Sequence, residues 1–139
     1  MSETLAIAVE REFPHAPEKL WRALTQPHLI EAWLMKNDFA PTPGHNFKLR
    51  GEWGGVIDCE VLDVEPLRAL SYRWDFESDD PALRLRSVVT FTLTPTPSGT
   101  LLRMHQVGFR PEQKQAYGGA RIGWTQFLAR LDEVLAQSE

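Results

Sequence analysis

YGGARIGWTQFLARLDEVL, residues 117–135, carries its apolar side chains at three- and four-residue steps: Tyr117, Ala120, Trp124, Phe127, Leu128, Leu131, Val134 and Leu135. That spacing puts them on one face of an α-helix, within a helical stretch expected between Pro111 and the C-terminus. The stripe is uneven. Gly118, Gly119 and Gly123 leave its first half short of bulk, whereas Phe127 to Leu135 form a full packing surface. A helix packed at one end and thinned at the other points to a cavity; the alternative is a kinked or late-starting helix over an ordinary core.

Upstream of this helix the chain reads mainly as strands. Leu5, Ile7 and Val9 alternate with Ala6, Ala8 and Glu10 in a first strand that runs to Phe13. Pro17 then suits the first position of a short helix to Leu24, because its missing N–H would be unpaired there anyway. Thr25 is placed to cap a second short helix opening at Pro27 and carrying Leu29, Ile30 and Trp33. Residues 37–44, with two prolines and a glycine, read as a loop. Strands resume at Phe47 and Leu49, with a hairpin over Gly51 to Gly55 and Trp53 near its tip. Further strands span Val56 to Val64, Leu70 to Phe76, Leu85 to Thr94 and Thr100 to Phe109, the last two joined by a turn over residues 96–99. Their close spacing leaves no room for parallel crossovers, so the sheet is expected to be antiparallel and the class α+β. The aromatic residues Phe47, Trp74, Phe91, Trp124 and Phe127 all fall on phases assigned to the interior.

With 139 residues, one domain spanning 1–139 is expected. A formal net charge of −4, with 24% charged residues of mixed sign, gives no electrostatic footprint for nucleic acid or an anionic membrane surface. No apolar run approaches the roughly 18 residues that span a bilayer, and the first residues do not read as a signal peptide. A cytoplasmic location without membrane insertion is the expectation. The lone Cys59 agrees with a reducing compartment, and as a mid-strand residue it reads as a small buried hydrophobe.

The segments FPHAPEKLWRALT (13–25), Trp33, VTFTLTP (89–95), SGT (98–100) and Gly123-Trp124 occur in an order that resembles the START-like, or Bet v-like (SRPBCC), superfamily. Within it they are similar to the branch named after the activator of the large heat-shock chaperone's ATPase. The resemblance covers nearly the whole chain. It implies a helix-grip fold: a curved antiparallel sheet wrapped around the long C-terminal helix, two short helices after the first strand, and an internal cavity. Members bind lipids, sterols, polyketides or plant hormones, a few cyclise or hydrolyse such ligands, and the branch name comes from a co-chaperone. One departure stands in MHQVGF (104–109). Where the branch often has a histidine on the last strand, this chain has Gln106, an amide that cannot serve as a general base, with His105 on the opposite phase.

The favoured expectation is a non-enzymatic binding or carrier protein for a small hydrophobic molecule, lipid-like or polyketide-like. Its cavity lining is expected to include Phe47, Trp74, Phe91, Met104, Gln106, Tyr117 and Trp124. The alternatives are a chaperone-interacting module, and a cyclase or hydrolase for which Asp58, Glu60 and Tyr117 are the only nominees for acid or base. Arg73, Arg84 and Arg86 either decorate the outer face or bind an anion. His15, His28, His45 and His105 lack metal-ligand spacing, and neither a cofactor nor a metal is expected. Trp53 is a candidate homodimer contact.

Overall fold

The computed structural model describes residues 5–52 and 54–137; the hairpin-tip residue Trp53, named above as a dimer contact, lies outside them. The elements are β1 (Leu5–Phe13), α1 (Pro17–Thr25), α2 (Pro27–Trp33), β2 (Lys36–Asn37), β3 (Asn46–Arg50), β4 (Val56–Glu65), β5 (Ala69–Phe76), β6 (Leu85–Thr96), β7 (Gly99–Phe109) and α3 (Lys114–Gln137). The strands form one antiparallel sheet in the order β1-β7-β6-β5-β4-β3-β2. It curves around α3, with α1 and α2 inserted after β1, which is the helix-grip arrangement.

Period-two alternation decides which side of each strand faces the helix. Leu70, Tyr72 and Trp74 on β5, Val89, Phe91 and Leu93 on β6, and Leu102, Met104 and Gln106 on β7 are buried on the concave side. Leu128, Leu131 and Leu135 of α3 close over them, all at 1% exposure or less. Burying side chains of this size contributes roughly 1.5–3 kcal/mol each. The short helices are tied in by Trp33, whose indole donates to Ala23 O at 2.8 Å and whose ring meets Phe91 edge-on at 6.2 Å.

Three local expectations need correction. Thr25 does not cap α2: it is still helical, and its hydroxyl donates back to Trp21 O at 2.7 Å. Gln26 holds the cap position without a side-chain bond, and Pro27 as the first helical residue removes one of the donors that a cap would serve. The stretch read as a loop from 37 begins with a strand residue, since Lys36 and Asn37 pair with Arg50 and Leu49. β6 runs two residues beyond Thr94, its expected end, up to the turn over residues 96–99 that the sequence places there. Pro95 and Thr96 stay in register with Thr100 and Gly99, and only Pro97 and Ser98 remain between the strands. A proline is tolerated there because β6 has already run past Thr92, the last residue that β5 pairs.

Candidate functional site

The two halves of α3 meet the sheet differently. A Cβ added at Gly118, Gly119 or Gly123 would touch nothing within 4 Å outside its own helical turn. The space left open is a pocket of about 490 Å³. Its sheet side is Ile57, Trp74, Phe76, Leu85, Gln106 and Phe109, its helix side Ala116, Gly119, Ala120, Gly123, Trp124 and Phe127, and its rim Met35 and Leu83. Leu83, on the β5–β6 loop, is 50% exposed and marks the edge toward solvent.

Among the described residues, Gln106 is the one amide in a lining otherwise made of hydrocarbon, aromatic rings, a thioether and glycine. It is 1% exposed. The indole Nε1–H of Trp124 donates to its Oε1 at 2.8 Å. An indole N–H can only donate, so this contact fixes which end of the amide is oxygen. Nε2 therefore points to Ser87, donating to its Oγ at 3.0 Å, and that hydroxyl donates on to Trp74 O at 2.5 Å. The run Trp124, Gln106, Ser87, Trp74 joins α3, β7, β6 and β5 across the floor of the pocket.

A bulge sets the other end of β7. Leu5 pairs with Phe109 and Ala6 with Val107, so Gly108 has no opposite number on β1. Gly108 has φ +134°, and a Cβ there would come within 2.2 Å of Arg86 O and 2.8 Å of Ser87 Cα. The extra residue reverses the strand's phase. Phe109, rather than Gly108, follows Gln106 on the inward side and lines the pocket.

The residues expected to line a cavity divide accordingly. Trp74, Gln106 and Trp124 border the pocket, with the two indoles 5.1 Å apart. Phe91 packs edge-on behind Trp124 at 5.8 Å and, like Met104, is buried in the core instead of facing the pocket. Phe47 packs away from the pocket against Phe39 and Tyr72, each 5.1 Å from it, and Tyr72 links this group to Phe91 at 6.0 Å. Tyr117 lies against Phe109 at 5.7 Å, and its hydroxyl donates to Ala6 O at 3.1 Å, anchoring the start of α3 to β1 rather than entering the lining.

The candidate acids and cations lie elsewhere. Asp58 and Glu60 sit on the phase of β4 opposite Ile57, Cys59 and Val61, and Asp58 pairs with Lys48. Arg73 pairs with Asp75, Arg86 with Glu77, and the Arg84 guanidinium donates to Ser78 O. His45 stacks on Phe47 and contacts Asp38 O at 2.9 Å. Among the described residues no group of histidine, cysteine, aspartate or glutamate could hold a metal ion. Burial, reinforced by Asp75, Asp58 and Asp38, pushes the Cys59 thiol well above its ordinary range, so it is held protonated and unreactive.

Several site residues escape a first reading of the sequence. Ser87 and Leu85 continue the interior phase of Val89, Phe91 and Leu93, so extending that alternation would have found them. Phe109 is hidden by the bulge, for which Gly108 is the available signal. Gln113, 2% exposed, receives Arg110 N–H on its Oε1 at 2.9 Å and donates from Nε2 to Arg84 O at 2.6 Å. It thereby fastens the start of α3 to the loop that carries Leu83, and no side-chain pattern in the sequence announces it.

A family model described as Activator of Hsp90 ATPase homolog 1-like protein matches residues 14–136. Among solved structures, protein MLL2253 from Mesorhizobium loti is 62% identical with a TM-score of 0.95, over 97% of this chain and 99% of that one. DynU16, whose description places it in the dynemicin biosynthetic locus, is 25% identical with a TM-score of 0.81, over 95% of this chain and 47% of that one. Bacillus halodurans protein BH1534 is 26% identical with a TM-score of 0.80, over 97% and 99% of the two chains. A comparison with curated proteins returns no match.

Proposed function

The chain belongs to the family described as Activator of Hsp90 ATPase homolog 1-like protein, and on that premise we propose that it is a cytoplasmic, non-enzymatic binding or carrier protein for a small hydrophobic ligand, lipid-like or polyketide-like. One observation carries the reading: a pocket of about 490 Å³ whose wall is apolar except for Gln106. Its volume falls within the usual range for small-molecule sites, and such sites combine an apolar wall with few polar groups. Burial of a ligand's apolar surface would supply most of the affinity. The place of DynU16 in a biosynthetic locus agrees with a task in handling small organic molecules. A cyclase or hydrolase reading would need an acid or base at the ligand, and the lining offers a neutral amide in that position.

The test uses the pocket's own indoles as reporters. Trp74 and Trp124 stand in the wall, so uptake of N-phenyl-1-naphthylamine is expected to quench their emission and brighten the probe. Gly123→Leu fills the open space from the helix side and improves local helix propensity. The variant is expected to fold with an undiminished melting temperature and to lose probe uptake. A folded Gly123→Leu protein that takes up the probe like the wild type would overturn the reading.

The family description favours a second reading, a module that acts on a chaperone. It requires stimulation of Hsp90 ATPase by the protein, and stimulation that survives in Gly123→Leu would place that activity outside the pocket.

A further inference from the structure

Gln106 has more hydrogen-bonding capacity than the protein uses. Its Oε1 accepts from Trp124 and one Nε2–H reaches Ser87 Oγ. A primary amide carries two N–H donors, and the second has no partner among the described residues, although Gln106 is 1% exposed and lines the pocket. A buried N–H without an acceptor is costly, more so than an unfilled second lone pair on a carbonyl oxygen. The Trp124 contact prevents the amide from turning its oxygen into the pocket instead, since a flip would set Nε2 against the indole N–H. The free donor is therefore a fixed feature of the wall, and what fits it is an acceptor. Among the described residues the lining supplies no cation to accompany a carboxylate or phosphate, and an unpaired anion in apolar surroundings bears a large desolvation penalty.

We propose that, within the ligand-binding reading above on which this rests, the pocket selects an uncharged ligand bearing an oxygen acceptor, a ketone, ester or ether, which Gln106 Nε2 recognises. Trp124 and Ser87 act as positioning residues that hold the amide in the recognising orientation.

Three naphthalenes of matched shape test this: 2-acetylnaphthalene, with a carbonyl; 2-ethylnaphthalene, without one; and 2-naphthoate, with a negative charge. Each is titrated as a competitor of N-phenyl-1-naphthylamine on the wild type and on Gln106→Met, which keeps the side chain's length and removes its polarity. The wild type is expected to hold the ketone about tenfold more tightly than the ethyl compound, as one well-made hydrogen bond allows, and the naphthoate more weakly than the ketone. Gln106→Met is expected to erase the ketone's advantage while binding the ethyl compound at least as well. Equal binding of ketone and ethyl compound by the wild type, a ketone preference that persists in Gln106→Met, or naphthoate bound as tightly as the ketone would each overturn the proposal and leave the carrier reading standing. Should N-phenyl-1-naphthylamine itself fail to bind the wild type, the carrier reading fails and this inference with it; a bound probe that none of the three displaces overturns this proposal alone. Circular dichroism and the melting temperature of Gln106→Met show whether the variant is folded. If it is not, Ser87→Ala, which frees Gln106 Nε2 from its hydroxyl partner, is expected to narrow the gap between ketone and ethyl compound; an unchanged gap would overturn the proposal.

Discussion

The two halves of α3 share one backbone and one face, yet they do opposite things. From Leu128 onward the helix presents Leu128, Leu131 and Leu135, all buried at 1% exposure or less against the sheet and the short helices. Before Trp124 it presents Ala116, Gly119, Ala120 and Gly123 to a pocket, with Tyr117 packed beside it against Phe109. Gly118, Gly119 and Gly123 each weaken the helix by up to about 1 kcal/mol relative to alanine. The C-terminal half holds the fold and so can carry a half that keeps space. Stability and the pocket are thus divided along a single helix, with Trp124 at the border: its ring is packed against Phe91 and Phe127 while its N–H serves Gln106.

The largest effect is expected where packing is complete. Leu131→Ala removes a fully buried side chain from the middle of the C-terminal half and is expected to cost about 2–5 kcal/mol in chemical denaturation, because a close-packed core collapses only in part around the void. A loss below about 1 kcal/mol would mean that the two halves are not so different in packing and would break the comparison.

The unevenness of α3 was legible because glycine and leucine differ in bulk in any context, and the alternation on β5 and β6 placed most of the sheet's inner face for the same local reason. The site itself was less legible. Phe47 and Trp74 occupy equally good inward phases, and nothing local distinguishes them. Whether a ring borders space or joins a cluster depends on what the helix places opposite it, and Phe47 faces Phe39 and Tyr72 while Trp74 faces the glycine end of α3. Phe109 went unread because a strand's period breaks at a bulge, and Tyr117 was expected in the cavity lining whereas its hydroxyl finds Ala6 O on a strand more than a hundred residues away in sequence. Long-range pairings of this kind are set by topology, which the spacing of residues leaves open.

An intermediate effect is expected at the border. Trp124→Phe keeps an aromatic ring and removes the indole N–H, leaving Gln106 Oε1 without its donor in a buried setting, at a cost of about 1–3 kcal/mol. Combining it with Gln106→Met sharpens the point. If the hydrogen bond couples the helix to β7, the double variant is expected to lose less than the sum of the two single losses, by roughly 0.5–3 kcal/mol. Additive losses in urea denaturation would show that the ring's packing, and not the bond, is what Trp124 contributes.

The smallest effect is the one that separates space from stability. Gly119→Ala adds a single methyl where nothing lies within 4 Å, on a helix whose propensity it improves. Stability is expected to rise by up to about 1 kcal/mol, partly because alanine has fewer unfolded conformations to lose. A methyl takes up little of a pocket of about 490 Å³, so probe uptake is expected to persist in Gly119→Ala although Gly123→Leu abolishes it. The pair makes the glycines informative. If Gly119→Ala stabilises the protein and leaves uptake intact, helix propensity and pocket volume are separable quantities, and glycine at 119 exceeds what the space alone requires. If it abolishes uptake, the ligand approaches the backbone of α3 at that position so closely that no Cβ fits between them, and the N-terminal half is a contact surface in its own right. A stability loss instead of a gain would point to a neighbour that moves onto position 119 in solution, and the contrast between a packed half and an open half would then fail at its open end.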